Sequence, residues 1–178
     1  AEQPARDGRR VSALTAGSVN ILKALGVWEA VAAGDTQPIA GMTVWDGEQA
    51  GGIAFGATDT GLDHLGAMAH NSDVAQALQA AIAEAPRVDW YCPARWRGLQ
   101  QGDTDARLIV ETAAGDRELT AALVVGADGR DSLLREHAGI GTLGWSYGQS
   151  AVVAEIDPER PHRGRAFHRF LRGGPLAM

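Results

Sequence analysis

Residues 124–135, Val124-Val125-Gly126-Ala127-Asp128-Gly129-Arg130-Asp131-Ser132-Leu133-Leu134-Arg135, carry the reading that decides the fold. Leu123-Val124-Val125 is a short, wholly apolar run of the kind found in buried parallel strands. It climbs into Gly126 and Gly129 around one carboxylate, and Asp131 to Ala138 then reads as a helix closed by Gly139. A buried strand that ends in a glycine turn and passes into a helix can aim backbone N–H groups at an anion. Asp128 itself repels phosphate, so its natural partners are ribose or ribityl hydroxyls, backbone N–H groups or water. The same residues also make an ordinary tight turn whose Asp hydrogen-bonds its own backbone. Both readings stand at this level.

Working outward, the chain interleaves helix and strand. Thr15 is placed to cap a helix whose Val19, Leu22 and Leu25 share a face and which Gly26 ends. Trp28 to Ala33 adds a short helical turn closed by Gly34. Residues 42–46 and 53–55 read as strands joined through the loop 47–52, and residues 1–10 as loop. Asn71 or Ser72 starts a helix with Val74, Leu78 and Ile82 at spacing four, running to about Ala85. Residues 107–112 and 117–120 flank Ala113-Ala114-Gly115-Asp116, a hairpin signal. Further strands are expected at 147–156 and 164–171. The order points to a mixed α/β fold.

Composition narrows the chemistry. The chain has 178 residues, 45% hydrophobic and 21% charged, with a net charge of −6, ordinary proportions for a globular domain. An acidic balance without a basic stripe argues against nucleic acid. The arginines between Arg160 and Arg172 read as a solvated strand edge or as a patch for anionic lipid or a partner. Cys92 is the single cysteine, so no internal disulfide forms and a reducing compartment is expected. No apolar run reads as a membrane span or signal peptide. The five histidines show no metal-ligand spacing, and neither a GxSxG elbow nor a P-loop is present.

The run 123–135, with Ala138-Gly139-Ile140 after it, resembles the second fingerprint of flavin-dependent aromatic hydroxylases. The likeness continues through Arg10 to Val31, Pro38-Ile39, Leu65 to Leu78, Trp145-x-Tyr147-x-Gln149 and the ending Phe167 to Met178. Taken in order, these motifs resemble the ubiquinone-biosynthesis hydroxylases of the p-hydroxybenzoate hydroxylase-like superfamily. The resemblance implies part of a Rossmann-like FAD-binding domain (1–38 and 68–142) interleaved with a mostly antiparallel substrate-binding β-sheet domain (39–67 and 143–178). The family's GxGxxG and GD motifs are not in this sequence, which starts AEQPARDG and stops at GGPLAM. The chain is therefore expected to be a central fragment, inactive alone and poor at holding FAD.

Roles follow residue by residue from the same resemblance. Arg10 matches an arginine beside the flavin, with a surface ion pair as its plain alternative. Asn71 matches a polar residue that contacts the FAD ribityl or phosphate portion, and it also fits an ordinary N-cap. His70 stands where relatives commonly carry Glu. Gly126, Asp128 and Gly129 match the FAD and NAD(P)H fingerprint, which Ser132 and Arg135 share, Arg135 as a structural tie. Trp145, Tyr147 and Gln149 alternate onto one face of an expected strand, where Tyr147 and Gln149 line substrate or simply fill core. No catalytic side chain and no metal is expected.

As the resemblance implies, the activity is an FAD-dependent monooxygenase that uses NAD(P)H and O2 to hydroxylate the ring of a polyprenylated phenol in ubiquinone biosynthesis. Membership of a ubiquinone-biosynthesis complex follows, as does a cytoplasmic protein with peripheral contact to the inner membrane. A non-catalytic scaffold in a biosynthetic complex, or a different flavin-dependent aromatic hydroxylase, fits the same residues.

Overall fold

A computed structural model describes residues 10–47 and 51–178. Of the loops expected at 1–10 and 47–52, residues 1–9 and 48–50 lie outside the described residues. The chain runs as β1 (Val11–Thr15), α1 (Ala16–Ala24), α2 (Trp28–Ala32), β2 (Gln37–Ile39), β3 (Gly41–Asp46) and β4 (Gly52–Gly56). After a short 3-10 turn come β5 (Gly66–His70), α3 (Asn71–Glu84), β6 (Ala94–Gln101), β7 (Ala106–Thr112) and β8 (Gly115–Ala121). The last elements are α4 (Leu133–His137), β9 (Arg165–Leu171) and β10 (Gly174–Ala177).

The described residues form two compact units, one of residues 89–152 and one of residues 10–88 and 153–178. The larger unit holds two sheets. In the first, β5 lies between β1 and β2 and runs antiparallel to both. The second has the order β10-β9-β3-β4, antiparallel except where β3 and β9 pair in parallel. Across that parallel pair Trp45 and Phe167 stack, their rings 6.0 Å apart and 13° from parallel.

Local chemistry explains the helices of this unit. The Thr15 hydroxyl accepts from the Ser18 N–H at 3.2 Å, satisfying one donor that a helix start leaves open. Val19 and Leu22 are buried as their spacing requires, while Leu25 turns out to solvent. Gly26 then takes φ +72°, which glycine adopts without strain, and α1 ends there. The core forms where these helices meet β5: Leu22, Val27, Val31, Ala69 and Ala77 are buried together, with Val74 and Leu78 packed against them. Val31 is fully enclosed.

The smaller unit is an antiparallel meander, β6-β7-β8, together with α4. The hairpin expected between 107–112 and 117–120 is there. Thr112 stabilises its turn, its hydroxyl donating to the Gly115 C=O at 2.8 Å and accepting from the Ala114 N–H at 3.2 Å.

Two expected strands do not form. Residues 123–125 are in no strand, and 147–156 contain none. A strand needs a neighbour to take its backbone N–H and C=O groups, and no described segment lies in register with either stretch. Leu123 and Val125 are accordingly 76% and 73% exposed. Apolar composition alone does not make a strand.

Candidate functional site

The cofactor-site residues singled out in the sequence gather at two helix starts, one in each unit. In the larger unit, β1 pairs with β5 so that Val11 faces His70. One step further along that ladder, the Asn71 N–H donates to the Arg10 C=O at 3.0 Å. Arg10 and Asn71, 61 residues apart in sequence, are neighbours for this reason. The Ser12 hydroxyl donates to Asn71 Oδ1 at 2.6 Å.

Asn71 is thus not the N-cap of α3. His70 holds that position and gives no side-chain cap bond, while Asn71 is the first helical residue. With its oxygen taken by Ser12, the Asn71 amide keeps two N–H donors at an exposed position. Among the described residues, no carboxylate lies within 4.0 Å of the Arg10 guanidinium. An open cleft of about 690 Å³ adjoins the start of α3, lined by Gly34, His70, Ser72, Asp73 and Gln76 among others. His70 Nε2 lies 3.8 Å from a carboxylate oxygen of Asp35.

In the smaller unit, Asp128 organises the turn that leads into α4. Its Oδ1 accepts from the Ser132 hydroxyl at 2.5 Å. Its Oδ2 accepts from the N–H groups of Leu133 at 2.8 Å and Leu134 at 3.4 Å. Ser132, buried to 7% exposure, is the N-cap and also accepts from the Arg135 N–H at 3.0 Å. Ser132, foremost, holds the Asp128 carboxyl below its ordinary value; loss of water opposes this, and backbone N–H groups of Asp128, Leu134 and Leu133 add to it. Asp128 is therefore an anion at neutral pH. Gly129 stands at φ +84°, a left-handed backbone that favours glycine. Gly126 packs against Leu134, where a Cβ would come within 3.0 Å of the leucine side chain.

Tyr147 and Gln149 lie in a stretch, 140–161, that forms neither helix nor strand. The rings of Trp145 and Tyr147 still meet edge-on at 6.4 Å, both largely exposed. Sequence reasoning missed Ser12 and His137. Ser12 becomes visible only once β1 is known to pair with β5.

A family model described as "FAD binding domain" matches residues 2–173. The chain belongs to this FAD-binding domain family. Over 169 residues it is 35% identical to 3-demethoxyubiquinol 3-hydroxylase of Escherichia coli, covering 95% of this chain and 42% of that protein. It is also 35% identical over 172 residues to ubiquinone hydroxylase UbiL of Rhodospirillum rubrum, covering 97% of this chain and 39% of the relative. The chain thus spans well under half the length of these relatives. Among solved structures it is similar to anhydrotetracycline hydroxylase OxyS of Streptomyces rimosus, with TM-score 0.61 and 22% identity over 78% of this chain and 28% of that one. The fold is that of the FAD-dependent monooxygenases.

The residues fit such a cofactor in a particular way. The exposed turn 126–129 offers backbone N–H groups of Gly126, Ala127 and Gly129 that have no partner among the described residues. The Asp128 carboxylate already occupies the start of α4, and an anion brought there meets a like charge. Its remaining lone pairs suit hydroxyls. The Asn71 amide and the Arg10 guanidinium are donors and suit phosphate.

Proposed function

We propose that this FAD-binding domain chain serves an FAD-dependent monooxygenase that hydroxylates the aromatic ring of a polyprenylated phenol in ubiquinone biosynthesis, with NAD(P)H and O2. The observation that carries the reading is the 35% identity, over nearly the whole chain, to two proteins named as ubiquinone-pathway hydroxylases. When bound, FAD supplies the redox chemistry that no side chain can. The protein's own residues bind and orient it: Arg10 and Asn71 as donors to phosphate or ribityl oxygens, the Gly126 and Gly129 backbone as further donors, and Asp128 as acceptor from hydroxyls.

Residues 1–38 and 68–142 are proposed as the FAD-binding portion, and 39–67 with 143–178 as the substrate portion. This is a division by function and is drawn across the two compact units. Tyr147 and Gln149 are assigned to the substrate side on the family resemblance alone. No helix among the described residues is long and apolar enough to cross a membrane. Peripheral contact with the membrane that dissolves a polyprenylated phenol is part of the same proposal. Membership of a ubiquinone-biosynthesis complex belongs to the same proposal.

The intact protein is the test. It should retain flavin absorbance through desalting, and a deletion strain should accumulate an under-hydroxylated quinone precursor. A colourless protein sinks the cofactor assignment, and a normal quinone profile sinks the substrate. Asp128→Ala should weaken FAD retention or slow its reduction by NAD(P)H. Unchanged binding and reduction would leave Asp128 a turn residue only.

A further inference from the structure

We propose that His137 is a positioning residue that latches α4 onto β6 and so fixes the shape of the Asp128 turn. The helix has only five residues, and none of them is buried. So short a helix is not stable on its own in water, and its apolar packing is slight: Leu134 is half-buried against Gly126. What remains are tethers at its two ends. At the start, Asp128 and Ser132 hold the first N–H groups. At the end, the last helical residue, His137, places Nε2 2.9 Å from the backbone C=O of Leu99 on β6.

Both partners are suited to this contact. Among the described residues β6 pairs only with β7, so it is an edge strand, and half of an edge strand's carbonyls have no ladder partner. Leu99 lies just past the register break between Trp96 and Gly98, where a strand bends and re-aims its groups. The imidazole also meets the Trp96 ring edge-on at 5.3 Å and 72°, which limits its rotation. A carbonyl can only accept, so Nε2 carries the proton. Without this tether, α4 is held only at its start, by the Asp128 turn and the Leu134 contact with Gly126, and the turn must follow whatever the helix does. The consequence for the cofactor rests on the FAD reading above; the latch itself does not.

Hydrogen exchange across 128–138 and FAD affinity, both measured on the intact protein, separate the two. His137→Ala should speed exchange of the Leu133 and Leu134 amides and raise the FAD Kd, each by about threefold to tenfold. His137→Gln, whose carboxamide N–H can replace Nε2–H, should restore most of both. Unchanged exchange in the alanine variant overturns the latch, as does a folded glutamine variant no better than alanine. Faster exchange rescued by glutamine, with FAD affinity unmoved, upholds the latch and overturns the cofactor role of the Asp128 turn. If the alanine variant does not fold, the wild type decides: long-range nitrogen–proton NMR must find the His137 proton on Nε2, and an unprotonated Nε2 overturns the proposal.

Discussion

At Asn71 a helix leaves a strand hydrogen-bonded on both sides; at Ser132 a helix leaves a stretch that belongs to no sheet. The first junction takes its geometry from distant parts of the chain. β5 is fixed by β1 and β2, and α3 by the cluster around Val31. The second takes its geometry from its own side chains: an aspartate, a serine and a histidine stand where a ladder and a core stand elsewhere. Packed junctions resist perturbation until the core fails, because many small contacts share the load. A junction held by three polar side chains should respond to single substitutions and to protonation.

The largest effect should come from breaking the packed side. Leu22→Ala removes a buried leucine from the core cluster and should cost about 2–4 kcal/mol of unfolding free energy in a denaturant titration. Amide exchange should rise through α1, α2 and α3 and stay unchanged across 128–138. An equal rise in 128–138 would mean that the two junctions share one cooperative unit, and the contrast between them would be lost.

The same contrast explains what was legible in the sequence. Thr15, Gly26 and the Ala113–Asp116 turn announce themselves because caps and turns are local chemistry, decided within a few residues. The helix over 71–84 was readable from its periodicity, and the Asp128 turn from its glycines. β1, β2 and β5 were not. Val11–Thr15 shows no run longer than its neighbours, and Gly66–His70 carries two alanines and a glycine. Their strand character comes from one another, through pairings between residues far apart in sequence, more than fifty apart for β1 and β5. Residues 123–125 fail in the opposite direction: a wholly apolar run finds no strand partner among the described residues. The Asn71 site was legible as a position but not as a geometry, since Ser12 enters only through pairing.

A smaller effect should follow Ser132→Ala. The buried hydroxyl both caps α4 and donates to Asp128, and loss of such a cap costs about 1–2 kcal/mol of local stability. Exchange of the Leu133, Leu134 and Arg135 amides should rise while α3 is untouched. Ser132→Thr, which keeps the hydroxyl, should behave as wild type. A silent Ser132→Ala would show that the turn is held by something other than its side chains.

The smallest effect is confined to acid and belongs to Asp128. Its carboxyl titrates below the ordinary value because Ser132 and the helix N–H groups favour the charged form. The folded value lies below the unfolded one, about 3.9, so the carboxylate's contribution is complete above the unfolded value. It is lost as pH falls through the folded value. In an NMR titration the Leu133 and Leu134 amide shifts should therefore stay constant down to about pH 4 and move together below it. Asp128→Asn should flatten that titration and leave the Asn71 amide unaffected in both proteins, because Asn71 donates to a backbone carbonyl that does not titrate. If the Leu133 and Leu134 amides do not titrate in the wild type, the carboxylate is not their acceptor. The Asp128 turn would then be positioned by packing after all, as at Asn71.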